Sequence, residues 1–441
     1  MLKRTAWFLI FFLLSAASSP YIWGQTSFYE EEQVIRQARF YENVEVRAGM
    51  KETIMAPFFS LLTRQSEIHE QLLSPVAVEF ELRKSAESFY LLFKNEQNYL
   101  YPVWGRGNYI IKRDLRTGDF QQIKIFFQND ENSFIRLFPL DEQRSIMDMV
   151  LYGSQLYKGI VIPVALEELA LSSFSRLMHL TRGTVQWKNL FTDVSYPEWA
   201  DSAGFVNILT NELGQLYESD DGAQDARGHF VRIEDGVLQD EPGGVNCSGF
   251  AKWVVDGILL GLDDERESLT DIEDLKLTTE AEDDRLQNQW NMANQDRDPY
   301  FGLDWTRNLA LTLNKERAVR ISSGGDSQDV KDVPFFDYRQ NIGYDLENIR
   351  AVLYLLAIEN PGAFYMGAIN SLFGEDPVLW QFHHVTLFFP WFTDEGDFML
   401  SVLETGCESS LENLKLRYPD SFVHLVELDR ADAFIPANNF E

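Results

Sequence analysis

The sequence predicts an α+β protein of two modules behind a short export segment. Three observations carry that prediction. Between residues 76 and 162, apolar and polar residues alternate in short runs separated by turn residues, as in a mainly antiparallel sheet. The stretch Gly243-Gly244-Val245-Asn246-Cys247-Ser248-Gly249-Phe250 then opens into a helical repeat, with Phe250, Val254 and Ile258 on one face. Nearly all β signal after that helix falls between residues 378 and 428, so the second module runs helix first and sheet afterwards.

The elements follow in order. Residues 1–24 carry Lys3 and Arg4 before the apolar run Ala6 to Ala17, then small and polar residues, which reads as an export signal. The run is too short for a membrane span, and an uncleaved signal would leave the chain tethered. Residues 28 to 75 read as a helical lead-in. Val76, Val78, Phe80 and Leu82 alternate with Ala77, Glu79, Glu81 and Arg83 as a half-buried strand. Strands at 90–93, 109–113, 122–127, 133–138 and 157–162 continue the pattern, and Ala165 to Leu180 reads as a linking helix. Tyr99, Tyr101 and Trp104, beside Gly105-Arg106-Gly107, suggest either cross-strand packing or a ligand surface. The first module is placed at 25–185 and the second at 186–441.

Composition narrows the function. The chain has 38 basic and 69 acidic residues and a net charge of -31. Such a charge disfavours nucleic acid and anionic lipid as partners. It suits a protein working outside the cytoplasm, periplasmic or secreted. The two cysteines, Cys247 and Cys407, would in an exported chain ordinarily pair as a disulfide. The setting of Cys247 argues otherwise. Asn246 or Ser248 can cap the helix, which puts Cys247 in its first turn, where free N–H groups and the helix dipole favour a thiolate.

A nucleophilic cysteine needs a base, and histidine is the natural one near neutral pH. Of six histidines, His383 and His384 stand together on the strand-like run Gln381 to Phe389. Alternation sends them to opposite faces. An apolar, helix-facing side would favour His383. His424, on the last strand, is a further candidate. A third polar group should orient the imidazole. Glu404 on the next strand is the first choice and Ser401 the second, ahead of the loop acids Asp394, Glu395 and Asp397.

Asn246-Cys247-Ser248-Gly249-Phe250 resembles the nucleophile motif of the NlpC/P60 cysteine peptidases, a branch of the papain-like fold. His384-Val385-Thr386-Leu387-Phe388 resembles that family's histidine strand, with Thr386 where glycine is usual. The resemblance favours His384 over His383. It implies a C-terminal domain in which a cysteine helix packs on an antiparallel sheet carrying the histidine. The separation of the two motifs would then require a large insertion, about 262–372, acting as a lid or substrate wall. The resemblance also implies hydrolysis of amide bonds in cell-wall (peptidoglycan) peptides by acyl transfer. Cys247 would be the nucleophile, His384 the base, Glu404 the orienting group, and the N–H of Cys247 or Ser248 part of the oxyanion site. No metal or cofactor is needed. Two other classes fit the same features: a noncatalytic papain-like envelope protein, with Cys247 and Cys407 joined or with no thiolate at all, and a related acyltransferase or lipid-amide hydrolase.

Overall fold

A computed structural model describes residues 29–263, 265–279, 298–321, 328–374, 378–429 and 433–437. The export segment 1–24 and the Ser322–Asp326 loop lie outside them, as does much of the acidic run after residue 263.

The architecture is mixed α+β, with short helices leading into an antiparallel sheet. The helices are α1 (Tyr29–Gln37), α2 (Val44–Gly49) and α3 (Lys51–Met55). Eight strands follow: β1 (Glu67–His69), β2 (Val78–Lys84), β3 (Ser88–Asn95), β4 (Tyr109–Asp114), β5 (Phe120–Phe126), β6 (Phe134–Pro139), β7 (Ser145–Leu151) and β8 (Ser154–Ile162). Each pairs antiparallel with the next, in sequence order. Short connections make this meander the simplest solution for alternating strands. The expected linking helix is two short ones, α4 (Leu166–Leu169) and α5 (Phe174–Thr181), the second capped by Ser173. Then come α6 (Pro197–Glu212), β9 (Ala223–Gln224) and β10 (Phe230–Val231).

The second half begins with the cysteine helix α7 (Cys247–Leu262), followed by α8 (Ile272–Leu275), α9 (Phe301–Ile321), β11 (Gln328–Asp329), β12 (Tyr344–Asp345) and α10 (Ile349–Glu359). It closes with β13 (Phe364–Phe373), β14 (Leu379–Phe392), β15 (Phe398–Glu404), β16 (Cys407–Ser409), α11 (Leu411–Arg417) and β17 (Phe422–Leu428). The sheet order is β11-β17-β13-β14-β15-β16, antiparallel throughout, with β12 also on β17.

This sheet is covered on both faces. Val385, Leu387, Phe389 and Met366 pack with Phe250, Val254 and Ile258 of α7. On the other face Tyr365, Phe388 and Val423 join α10 and the N-terminal sheet in one continuous core. Tyr354 of α10 sits at that junction. Its hydroxyl donates to Leu190 O (2.8 Å) and accepts from Gln128 Nε2 (3.0 Å), tying both halves together.

The stretch 262–372, expected as a peripheral insertion, supplies core elements. β13 lies at the heart of the sheet between β17 and β14. Leu303, Trp305, Leu309 and Leu313 of α9 are fully buried. Among the described residues no helix is long and apolar enough to cross a membrane.

Candidate active site

Asn246 caps α7: its side-chain oxygen accepts from the Gly249 N–H at 2.8 Å. Of the two residues able to cap, Asn246 does so and Ser248 does not. The turn before the helix is held by Asn246 N donating to Gly222 O (2.9 Å) and Val245 N to Tyr217 O (2.9 Å). Behind it, Trp305 Nε1 donates to the Ser248 carbonyl at 2.9 Å. Cys247 is therefore the first residue of a helix fixed on three sides, and its thiol is half-buried.

The opposite wall comes from a place where two strands part. β14 and β15 are paired only from Leu387↔Leu403 to Phe392↔Phe398. Before Leu387, β14 loses that neighbour, and the Val385 N–H donates to the Cys247 sulfur. In the same segment the ladder to β13 slips: Ile369 faces His384 but Asn370 faces Phe382, which leaves His383 as the extra residue of a bulge.

The slip separates the two histidines. The His384 imidazole hydrogen-bonds the Cys247 thiol. Its Nε2 donates to Glu404 Oε1 at 2.5 Å, which leaves Nδ1 for the sulfur. His383 instead stacks on Phe373, with ring centroids 4.5 Å apart, and its Nδ1 lies 3.3 Å from Gln381 O. The apolar-face argument for His383 fails because that argument assumes unbroken alternation.

The other alternates lie elsewhere. Ser401 donates to Glu408 Oε1 at 2.8 Å and does not reach the imidazole. His424 is fully buried, 3.5 Å from Asp329 Oδ2, beside Arg307. It lines no part of the cysteine cleft.

Electrostatics favour an ion pair. Burial pushes the Cys247 thiol up, but the hydrogen bond and charge of His384 outweigh it. The Val385 N–H and the Ser248 side chain add to that, so the thiol is held below its ordinary value. Burial disfavours a charged His384, yet its bonds to Cys247 and Glu404 raise it to about 9. Glu404 is likewise pushed up by burial and pulled down further by His384, Arg417 and Ser409, to about 2. Each shift favours the charged form: a thiolate at Cys247, an imidazolium at His384 and a carboxylate at Glu404.

Two contributors were not legible in the sequence. Arg417 donates to both oxygens of Glu404. Tyr418 stacks on His384, with centroids 5.2 Å apart. Both stand at the end of α11, a short helix capped by Ser410, whose hydroxyl accepts from Asn413 N.

The three groups open on a cleft of about 1070 Å³, walled by Glu218, Asp220, Asn413, Arg417 and Tyr418. Cys407 lines the same cleft, and both cysteines are free. Among the described residues no cross-link joins them; such a link is one of the two forms of the noncatalytic reading. No group of three His, Cys, Asp or Glu side chains there could hold a metal ion.

Comparison with known proteins adds one match. Residues 36–189 match a family model described as a domain of unknown function (DUF8515). No match was found among curated proteins or solved structures. The matched region covers the lead-in and the N-terminal sheet, and stops short of Cys247.

Proposed function

We propose that the protein is an exported thiol hydrolase of the NlpC/P60 type, cleaving amide bonds in cell-wall peptides. One observation carries the reading: Cys247, His384 and Glu404 form a continuous hydrogen-bonded chain at the floor of an open cleft. The resemblance of residues 246–250 and 384–388 to the papain-like motifs supports it.

In this reading the Cys247 thiolate attacks the amide carbonyl carbon, and the C=O electron pair moves to oxygen. N–H groups at the head of α7 have no intrahelical acceptors and would stabilise that oxyanion. His384 donates its Nδ1 proton to the leaving amine as the C–N bond breaks. It then takes a proton from water as that water attacks the thioester carbonyl; the C–S bond breaks, the carboxylic acid leaves, and the thiolate–imidazolium pair is restored. Glu404 keeps the ring oriented and the imidazolium stable, and Arg417 holds Glu404 in place.

The test is digestion of purified peptidoglycan with the full chain, with mass spectrometry of the released peptides. New amide-cleavage products should appear and should vanish with Cys247→Ala. Absence of any product, with a folded protein whose Cys247 still reacts with iodoacetamide, would overturn the substrate class. Absence of that alkylation would overturn the thiol chemistry itself.

A further inference from the structure

The loop after β3 holds a second feature, remote from the cysteine. Gln97 N donates to Leu100 O at 2.8 Å and Leu100 N to Gln97 O at 2.9 Å, closing a two-residue turn. Its central residues are both left-handed, Asn98 at φ 49° and Tyr99 at φ 64°. A turn of this kind favours Asn then Gly. Asn98 fits; Tyr99 does not. Tyr99 is also 91% exposed, so no packing offsets the strain. Strain held without a structural return points to function.

Asn98 lines a pocket of about 210 Å³ where the N-terminal module meets the β14–β15 turn. Arg39 lines it too, and is left-handed as well, at φ 47°. The floor is Arg106, only 7% exposed, whose Nε has no hydrogen-bond partner. The wall is Asn129, which donates to Asp397 Oδ1 at 2.6 Å and accepts from Arg106 N at 2.7 Å. Trp104, 52% exposed, follows on the same loop. The pocket is thus lined with flat amide, guanidinium and carboxylate groups, donors and acceptors side by side, with exposed aromatic rings on the adjoining loop.

We propose that this pocket binds a saccharide. A sugar ring has vicinal hydroxyls that each donate and accept, matching Asn98, Arg39 and the acids Glu395 and Asp397 of the lining, and an apolar C–H face for the exposed ring of Tyr99, the next residue after Asn98. The proposal does not depend on the thiol chemistry. Asp397 directly precedes β15 and Glu404 ends it, about 23 Å along seven extended residues, so the two sites could hold separate parts of one large glycan-bearing ligand.

Calorimetric titration of the full chain with cellotetraose, chitotetraose and maltotetraose tests it. Binding of at least one is expected, unchanged in Cys247→Ala. Tyr99→Gly should weaken it at least tenfold while the melting temperature holds or rises, because glycine adopts this backbone freely. Asn129→Ala should weaken it independently. The proposal is overturned if none of the three sugars binds. It is equally overturned if Tyr99→Gly binds like the parent, or if Tyr99→Gly loses binding only through loss of the fold.

Discussion

Trp305 Nε1 donates to the carbonyl oxygen of Ser248 at 2.9 Å, so the long helix α9 is tied to the residue directly after the nucleophile. Trp305→Phe keeps a buried ring but removes the indole donor, leaving that carbonyl only its place in the α7 ladder. We expect a loss of about 0.5–1.5 kcal/mol in urea unfolding and slower alkylation of Cys247 at fixed pH. Unchanged values on both would show that the indole only fills space.

The reaction should have two pH limits. Cys247 alkylation should already be fast below the ordinary thiol value, since the thiol is lowered, and His384→Ala should move its midpoint upward. In the proposed hydrolysis the His384 proton is also required, so the rate should fall off above pH about 9, where alkylation continues. The same pair shapes stability. His384 is raised from 6.5 to about 9 on folding, so its contribution is full below 6.5 and disappears as pH rises through about 9. The stability gap between the parent and His384→Ala should close across that window.

Glu404→Gln probes the third member. A neutral amide holds the ring but not its charge, so His384 should drop from about 9 back toward 6.5. The alkaline limb of the hydrolysis profile should shift down, with at least a tenfold loss of rate near pH 8, about 1.4 kcal/mol. A loss of rate with no displacement of that limb would mean Glu404 acts through packing alone.

Inside α7, Lys252 Nζ lies 2.5 Å from Asp256 Oδ2, and both side chains are almost fully buried. Asp256 Oδ1 also accepts from the Thr270 N–H (2.8 Å) and hydroxyl (2.6 Å). Lys252→Met should cost about 3–5 kcal/mol by stranding a carboxylate. Adding Asp256→Asn, which still accepts from Thr270, should recover part of that. Additive losses in urea unfolding would refute the pairing.

Gly249 is needed for closeness rather than for its dihedral angles. A Cβ there would stand 2.0 Å from Gly222 O, backbone against backbone. Gly249→Ala should lose about 1–3 kcal/mol and displace Cys247. Gly204→Ala in α6 meets open space and should instead gain roughly 0.5–1 kcal/mol. Thermal melts of the two variants decide it.

Much of this organisation was legible along the chain. Alternation revealed the first sheet, and the Asn246-Cys247 turn announced its helix. β13 escaped because Phe364 to Asn370 is buried on both faces and shows no period. The choice between His383 and His384 could not be made from parity, because it depends on a bulge that only the pairing with β13 creates. Arg417 and Tyr418 were missed because their link to Glu404 and His384 exists only in three dimensions.

The apolar interior running from Phe127 and Phe191 through Tyr354 to Phe392 and Phe398 has a practical consequence for anyone dividing the chain. The recognisable 36–189 unit ends in the middle of it. Excised there, the fragment would bare a greasy wall of aromatic rings, and the remainder would bare its mate. A stable excised unit would therefore have to carry α10, or a substitute for it, over that wall.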